Sequence, residues 1–350
     1  MTNVEHSSHG SGGDGLSEEE DGRGTVVTAS ARRRLVVAMS AIVLMILAVG
    51  GVVGVSRYVS TFWLYRGFAP PSAPHSVTVR GSRGTRHVPV VLPVLQNITV
   101  RSPALGGYAD PVYVLLPPGY ASHPRQRYPV LYLLHGFPGQ ATGFLDIGQI
   151  STIEATLVAA GRMKPMIMVM PTGTRSFLAD EEWANGIRRG NAWETFVARD
   201  LVNAIDAHYR TIPAARGRGI AGLSEGGYGA LNIGLHHPNE FALIQSWSGY
   251  MRADHIPAIF GHGPRLMNYN SPAKWIFSVA PQLRADHTYI WFYIGAADPL
   301  LAQNRAFAAD LTALGVAHRF FERPGTHNWR LWRNQMSRAL ITASEHLSHG

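Results

Sequence analysis

Short apolar runs alternate with longer mixed segments through most of the chain after residue 97. The runs are rich in β-branched and aromatic residues and are bounded by Pro or Gly, which is typical of buried strands. They are PVYVLLP, YPVLYLLHG, PMIMVMP, GRGIAGLS, FALIQSWSG, TYIWFYIG and HRFFE. Helix-length segments lie between several of them, at residues 192–209, 226–237, 300–314 and 329–343. This alternation predicts an α/β fold with a mostly parallel central sheet and helices on both faces.

The first two predicted strands, near residues 97–100 and 111–116, have no helix between them. We therefore expect an antiparallel pair at one edge of the sheet. In parallel sheets of this kind, ligands bind outside the carboxyl ends of the strands. The loops that directly follow the apolar runs are therefore where chemistry is expected.

A different apolar segment lies near the N terminus. The residues between Arg34 and Arg57 carry no charge, and a helix of this length spans about 30 Å, the thickness of bilayer hydrocarbon. Three arginines at 32–34 precede it, so the positive-inside rule places the N terminus in the cytoplasm and the C-terminal bulk outside. The alternative is a cleaved signal peptide, whose apolar core is shorter, about 7–15 residues. We therefore expect an uncleaved transmembrane helix at residues 35–56 of a single-pass cell-membrane protein.

The rest of the chain divides around this helix. Residues 1–34 are rich in Gly, Ser, Glu and His and predict a disordered cytoplasmic tail. Residues 57–93 contain prolines, glycines and single arginines, which favours an extended spacer. Residues 94–350 then form the folded part, and roughly 250 residues suffice for one domain with a single core.

Composition removes several kinds of chemistry. The chain has no cysteine, which excludes disulfides, thiolate metal sites and a cysteine nucleophile. The formal net charge is +8, but the positive charge is mostly arginine spread singly along the chain. This spacing favours a solvated basic surface over a nucleic-acid site. No metal or organic cofactor is indicated, and the sequence leaves the oligomeric state open.

The loop after the run GRGIAGLS contains a G-x-S-x-G pattern, from Gly222 to Gly226 with Ser224 at its centre. The pattern follows a predicted strand and opens a predicted helix, which is the setting of a nucleophile elbow. Glycines are needed there because side chains would collide where the helix and the strand cross closely. An ordinary glycine-rich helix start is the alternative, but the preceding strand favours an elbow with Ser224 as the nucleophile.

A serine hydroxyl is a weak nucleophile and needs a base in contact, itself held by a carboxylate. In the fold built around such an elbow, the chain order is Ser, Asp or Glu, then His. Asp298 follows the run TYIWFYIG and His327 follows HRFFE, so both are predicted on loops at strand ends. The rivals for the acid are Asp286, just before its strand, and Asp310, inside a predicted helix. We therefore expect Ser224, His327 and Asp298 to form a catalytic triad.

Acyl transfer also needs hydrogen-bond donors for the developing oxyanion. One is usually the main-chain N–H after the nucleophile, here that of Glu225, and the other comes from a loop after an early strand. The sequence HGFPG at 135–139 follows such a strand and offers the N–H of Phe137. We expect His135 itself to be structural, because it lies at the turn and not opposite Ser224.

A polar insertion, DEEWAN at 180–185, lies between a predicted strand and the helix that starts near Asn191. Asp180, Glu181 and Trp183 are candidates for binding a sugar or another polyol at an entrance, and a solvated loop is the alternative. Asn191 followed by Glu194 predicts a capping box. Trp329 begins an apolar helix face and is a candidate wall of the acyl pocket.

The chain from about residue 97 to 347 resembles the "Putative esterase" (esterase D-like) family of α/β-hydrolases. This family includes S-formylglutathione hydrolases, feruloyl esterases and secreted mycolyltransferases. The resemblance rests on LLPPGY, YPVLYLLHGFPG, WETFVARDLVNAIDAHYRT, GLSEGGYGALNIGLHHP, GAADPL and PGTHNWRLW, which occur in the family's order. It implies an α/β-hydrolase fold, the triad Ser224–Asp298–His327, and oxyanion donors at Phe137 and Glu225. The mycolyltransferases differ in having Glu in place of Asp298 and Met in place of Glu225.

Three functions remain open at this level. The first is an extracytoplasmic serine esterase that hydrolyses small-molecule, lipid or sugar esters through an acyl-enzyme. The second is an acyltransferase acting on cell-envelope lipids or sugars, which would use the same residues. The third is a non-catalytic wall-binding or scaffold protein, against which the complete Ser, Asp and His set argues.

Overall fold

A computed structural model of the protein describes residues 37–45, 51, 74–81, 84–175, 181–253 and 256–349. The chain divides into two compact units, Met1–Tyr58 and Val59–Gly350. In the first unit, residues 37–45 are helical and exposed. Among the described residues, no helix has both the length and the apolar character needed to cross a bilayer. Most of the predicted transmembrane helix at 35–56, and all of the tail at 1–34, lie outside the described residues.

The second unit begins with a hairpin inside the segment predicted as a spacer. Strands β1 (Ser76–Gly81) and β2 (Gly84–Pro89) pair antiparallel as a separate two-stranded sheet. The sequence analysis did not predict this pair, because prolines and glycines surround it and neither strand has a buried face to mark it. The predicted spacer at 57–93 therefore contains regular structure in its second half.

The central sheet has eight strands in the order β10-β9-β8-β7-β5-β6-β4-β3. All are parallel except β4, which runs antiparallel to both β6 and β3. This confirms the mostly parallel sheet and its antiparallel edge. The strands are β3 (Val94–Arg101), β4 (Ala109–Leu116), β5 (Val130–Leu134), β6 (Ile167–Pro171), β7 (Arg218–Leu223), β8 (Leu243–Trp247), β9 (Tyr289–Gly295) and β10 (His318–Arg323).

The helices cover both faces of the sheet. Alternate residues of β5 show this, because Val130 and Tyr132 belong to one apolar cluster and Leu131 and Leu133 to the other. The helices are α1 (Gly143–Asp146), α2 (Ile150–Ala159), α3 (Trp193–Thr195), α4 (Val202–His208), α5 (Glu225–His236), α6 (Pro257–Phe260), α7 (Pro264–Tyr269), α8 (Pro272–Ala285), α9 (Leu301–Ala313) and α10 (Trp329–His346).

One face packs against α1, α2 and α10, and the opposite face against α4, α5, α8 and α9. Between α3 and α4 the chain forms a π-helical turn, Phe196–Leu201, so the single helix predicted at 192–209 is divided in three. A short 3₁₀ turn, Ala215–Gly217, leads into β7. Burial on both faces explains why β5 to β8 appear in the sequence as unbroken apolar runs.

Candidate active site

Ser224 lies in a strained turn between β7 and α5, with φ 56° and ψ −121°. The turn requires glycine on both sides, because the chain crosses itself at very short range. A Cβ on Gly222 would lie 2.1 Å from the carbonyl oxygen of Gly226, and a Cβ on Gly226 would lie 2.0 Å from that of Leu134. These are distances that no side chain tolerates, so the glycines allow Ser224 to stand at the end of the parallel strands.

Two loops bring a histidine and an aspartate to Ser224. His327 follows β10, and its Nε2 atom lies 2.7 Å from Oγ of Ser224. Its Nδ1 atom lies 2.8 Å from Oδ2 of Asp298, which follows β9. The three side chains therefore form one continuous chain of hydrogen bonds, as the order of residues along the sequence predicted.

The hydrogen-bond partners also fix the tautomer of His327. A carboxylate only accepts hydrogen bonds, so Nδ1 of His327 carries the proton that it donates to Asp298. Nε2 is then free to accept the hydroxyl proton of Ser224. The carboxylate itself is held in place, because the Asp298 side chain has no exposed surface and its Oδ1 accepts the N–H of Leu300 at 3.0 Å.

The two other aspartates considered for this position lie elsewhere. Asp286 directly follows α8 and accepts a hydrogen bond from the side-chain amide of Gln282 at 2.8 Å. Asp310 lies within α9. Of the three carboxylates, only that of Asp298 contacts His327.

Trp332 supports the other side of the His327 ring. The two rings meet edge to face, with their centres 5.2 Å apart and their planes at 86°. The indole N–H of Trp332 donates to Oγ of Ser248 at 3.2 Å, which fixes the orientation of the indole. The sequence analysis did not single out Trp332 on the apolar helix face that Trp329 begins, so its contact with His327 was not predicted.

A cavity of about 110 Å³ opens beside Ser224 and His327. Trp329, a predicted pocket wall, lines it and is itself 3 % exposed. A Cβ on Gly143 would approach the Trp329 ring to 2.9 Å, so α1 and α10 are in close contact behind the cavity. The lining also includes His135, Gly136, Phe137, Pro138, Gly139, Gln140, Leu223 and Trp332.

The two predicted oxyanion donors lie on the elements expected to carry them. Phe137 belongs to the loop that lines the cavity, and a Cβ on its neighbour Gly136 would lie 2.8 Å from Cβ of Ser224. Glu225 is the first residue of α5 and directly follows Ser224 in the chain. The Glu225 side chain is buried and does not line the cavity in the described part of the chain.

His135 anchors the start of the Phe137 loop. Its Nε2–H donates to the carbonyl oxygen of Thr172 at 2.6 Å, and burial lowers the pKa of its ring, which favours the neutral form. Asp110 in turn accepts the N–H groups of Thr172 and Gly173 at 3.0 and 3.1 Å. Burial outweighs these two hydrogen bonds and raises the pKa of Asp110 to about 7. The sequence analysis did not identify Asp110, since nothing in its own strand marks it.

The structure corrects the interpretation of Trp183 as a substrate-binding residue. This indole is 1 % exposed, and its N–H donates to the main-chain carbonyl of His135 at 2.9 Å. A Cβ on Gly173 or on Gly229 would collide with it, at 1.8 and 2.5 Å. Trp183 is therefore a packing residue beneath the Phe137 loop, and no face of it is open to a ligand.

The acids beside Trp183 do not protrude into solvent either. Glu181 is 8 % exposed, which argues against the predicted ligand-binding role, and Asp180 lies outside the described residues. The predicted capping box is also wrong, because α3 begins at Trp193 with Ala192 as its N-cap. Glu194 instead lies 3.1 Å from Nδ1 of His236 and 3.0 Å from Nε2 of His237, at the far end of α5.

The fold is that of the α/β-hydrolase class, a mostly parallel sheet, here with a strained serine turn and a hydrogen-bonded Ser–His–Asp arrangement at the carboxyl ends of its strands. A family model described as "Putative esterase" matches residues 102–343. The chain belongs to this esterase family, as the sequence motifs indicated.

Several relatives have related names. An esterase of Mycobacterium tuberculosis is 30 % identical over 254 residues, which are 64 % of this chain and 54 % of the relative. A diacylglycerol acyltransferase/mycolyltransferase of Mycobacterium leprae is 26 % identical over 209 residues, covering 48 % of this chain and 61 % of the relative. The chain thus spans about half to three fifths of the length of these two curated relatives.

The fold also matches solved structures. A ferulic acid esterase superimposes with a TM-score of 0.65 and 26 % sequence identity, covering 73 % of this chain and all of the other. Its whole length therefore corresponds to about three quarters of this chain.

Proposed function

We propose that this chain is a serine esterase that hydrolyses carboxylic esters through an acyl-enzyme on Ser224. The observation that supports this most strongly is the hydrogen-bonded series Ser224–His327–Asp298 beside a cavity. Membership in the esterase family and the resemblance to a ferulic acid esterase point to the same chemistry.

In this mechanism Oγ of Ser224 attacks the ester carbonyl carbon while Nε2 of His327 takes the hydroxyl proton. The tetrahedral intermediate collapses, and the departing alkoxide takes that proton from His327 and leaves as the alcohol. Water then attacks the acyl-enzyme and gives a proton to His327. The second intermediate collapses to the carboxylic acid as Ser224 recovers its proton. The buried Asp298 carboxylate stabilises the imidazolium formed in each half of the cycle.

The N–H groups of Phe137 and Glu225 would stabilise the oxyanion in both intermediates. Charge develops on the former carbonyl oxygen, and donors already in position stabilise it without further rearrangement. Glu225 contributes only its main-chain N–H in this scheme, because its side chain is buried and is not among those that line the cavity in the described part of the chain.

The cavity favours a short acyl group. Its volume of about 110 Å³ is well below the roughly 300 Å³ at which pockets for drug-sized ligands begin. Trp329 and Trp332 close it on the α10 side, so acetyl or propionyl esters fit more readily than long chains.

The second candidate is acyl transfer to an alcohol, favoured by the name of the mycobacterial acyltransferase relative. The two reactions share every step up to the acyl-enzyme and differ only in whether water or an alcohol attacks it. The test is an ester panel assayed with and without glycerol and trehalose as acceptors. Free acid as the main product in all cases supports the hydrolase, whereas predominant acyl-glycerol or acyl-trehalose supports the transferase.

We also propose that the catalytic domain lies outside the cell, anchored by residues 35–56. The uncharged segment and the arginines before it support this arrangement. Protease added to intact cells should remove the catalytic domain and spare the N-terminal tail. Protection of the catalytic domain would contradict this orientation.

A further inference from the structure

Four arginines from three separate segments of the chain lie together beside the edge strand β10. Arg319, Phe321 and Arg323 alternate along the strand, so their side chains share one face of the sheet. Arg338 comes from α10, which covers that face, and Arg162 comes from the loop between α2 and β6. The Cζ atoms of Arg319, Arg323 and Arg338 lie 4.8, 4.9 and 5.0 Å from the centre of the Phe321 ring.

These arginines have no acidic partner. In the ranges that the structure describes, none of the four forms an ion pair, whereas Arg218 and Arg305 both do. Burial and the charges of Arg338 and Arg319 lower the pKa of Arg323. Like charges held this closely repel each other, so an anion bound among them would be stabilised electrostatically.

Three of the four guanidinium groups line a concave site. A cavity of about 490 Å³ lies between α10 and strands β9 and β10, lined by Arg162, Arg319 and Arg338. Trp291 and Phe321 line it as well, and Glu345 is the one carboxylate among its lining residues in the described part of the chain. Three arginines against one glutamate leave a formal excess of two positive charges.

This cavity is separate from the candidate active site. It shares no lining residue with the cavity beside Ser224. In the sheet, β9 and β10 lie two and three strands away from β7, which carries the nucleophile. At about 4.8 Å per strand, the separation across the sheet is on the order of 10–15 Å.

We propose that this cavity binds a phosphoryl group. A phosphate dianion matches the excess of two positive charges, and guanidinium groups bind phosphate oxygens through paired, charge-assisted hydrogen bonds. Two sources present this chemistry, a soluble phosphate compound and the phosphodiester of a lipid headgroup or polymer, and the probes below distinguish them.

The test uses the purified full-length chain and calorimetric titration at constant ionic strength. The probes are inorganic pyrophosphate and glycerophosphoglycerol, a soluble phosphodiester headgroup analogue, with sodium chloride as the reference salt. The double variant Arg319→Gln/Arg338→Gln should bind pyrophosphate at least about tenfold more weakly than the unmodified chain, since two charged hydrogen-bond donors are lost. Ester hydrolysis should be unchanged in this variant, which shows that it is folded.

The control is Arg86→Gln/Arg125→Gln, which removes the same charge from two exposed arginines outside the cavity. Normal pyrophosphate affinity in this control and weak affinity in the cavity variant support the proposal. If glycerophosphoglycerol also binds the control normally and the cavity variant weakly, the source is a phosphodiester. If pyrophosphate binds in this way and glycerophosphoglycerol does not bind, the source is a soluble phosphate compound. Equal affinity in both double variants, or no binding of either probe by the unmodified chain, overturns the proposal.

Discussion

The indole N–H of Trp183 donates to the main-chain carbonyl of His135, across a distance of 2.9 Å, directly beneath the loop that carries Phe137. The two rings also meet edge to face, with centres 5.2 Å apart. Since His135 is the first residue of that loop, we expect Trp183 to hold the Phe137 N–H in its position near Ser224. A residue outside the cavity thus acts on the proposed oxyanion site through one hydrogen bond.

Replacing Trp183 with Phe should therefore lower kcat more than it weakens substrate binding. Phe retains most of the packing but lacks the N–H, so the loop shifts and an oxyanion donor is misplaced. We expect kcat to fall by about tenfold or more, with KM nearly constant. Steady-state kinetics on p-nitrophenyl acetate measures both. The matched control is Trp193→Phe, which loses a hydrogen bond to Asn191 of similar length, 2.8 Å, away from the loop. Equal kcat in the two variants would show that Trp183 is only a core residue.

Asp298→Asn should preserve the fold and remove most of the activity. The amide is nearly isosteric with the carboxylate, but it no longer selects the tautomer of His327 that accepts the Ser224 proton. The expected loss in kcat is about 10³–10⁴. Asp286→Asn and Asp310→Asn should lose little, because neither side chain reaches His327. Thermal melting of the three variants checks their folding. Near-normal turnover by Asp298→Asn would refute the role assigned to its carboxylate.

Trp329→Leu should change the preference for acyl chain length. The smaller side chain opens the cavity on the α10 side, so longer acyl groups gain room. We expect the ratio of kcat/KM for p-nitrophenyl octanoate to that for the acetate to rise by about tenfold or more. Leu340→Ala removes buried volume from the same helix, away from the cavity, and should leave the ratio unchanged. A ratio that stays constant in Trp329→Leu would show that another wall limits the acyl group.

Glu194 should stabilise the fold in a pH-dependent way. Burial alone would raise the pKa of this carboxyl, but the hydrogen bonds and charges of His236 and His237 outweigh it and lower the pKa to about 2. A depressed carboxyl pKa stabilises the folded state above the unfolded value of 4.5, and that stabilisation is lost as the pH falls towards 2. Its full size is about 3 kcal/mol.

The measurement is the difference in free energy of unfolding between the unmodified chain and Glu194→Gln, by urea titration at several pH values. The difference should shrink as the pH falls from 4.5 towards 2, because Glu194 becomes protonated in the folded protein over that range. Glu240→Gln is the control, because its carboxylate pairs with Arg218 at a more exposed position. A difference that does not change on acidification would mean that Glu194 is not ionised in the folded protein.

The sequence was most informative where a residue's environment is set by its neighbours in the chain. The buried strands are recognisable as apolar runs, and Ser224, Asp298 and His327 each lie in the loop that follows one. Since all parallel strands end at the same edge, adjacency to a strand was enough to predict that these residues meet. The sequence analysis predicted that glycines are needed at the elbow because the helix and the strand cross closely there. The structure shows this close crossing at Gly222 and Gly226.

The sequence was misleading where distant contacts decide. Trp183 lies in a polar stretch of the sequence, but its indole is buried. It fits there because Gly173 and Gly229 have no side chains that would occupy the same space. The pattern from Asn191 to Glu194 matches a capping box. The Glu194 carboxylate instead contacts His236 and His237, about forty residues further along the chain. The arginines around Phe321 appeared to be scattered singly, because only the pairing of β10 with β9 and the packing of α10 bring them together.

The central claim is that Ser224 is an activated nucleophile, and covalent labelling tests it most directly. The purified chain would be treated with a fluorophosphonate, digested and analysed by peptide mass spectrometry. The account predicts one modified peptide, labelled on Ser224, with loss of ester hydrolysis in step with labelling. His327→Ala should slow labelling strongly, because the hydroxyl then has no base in contact. Labelling at a different residue, or full hydrolysis by a Ser224→Ala variant, would contradict the account.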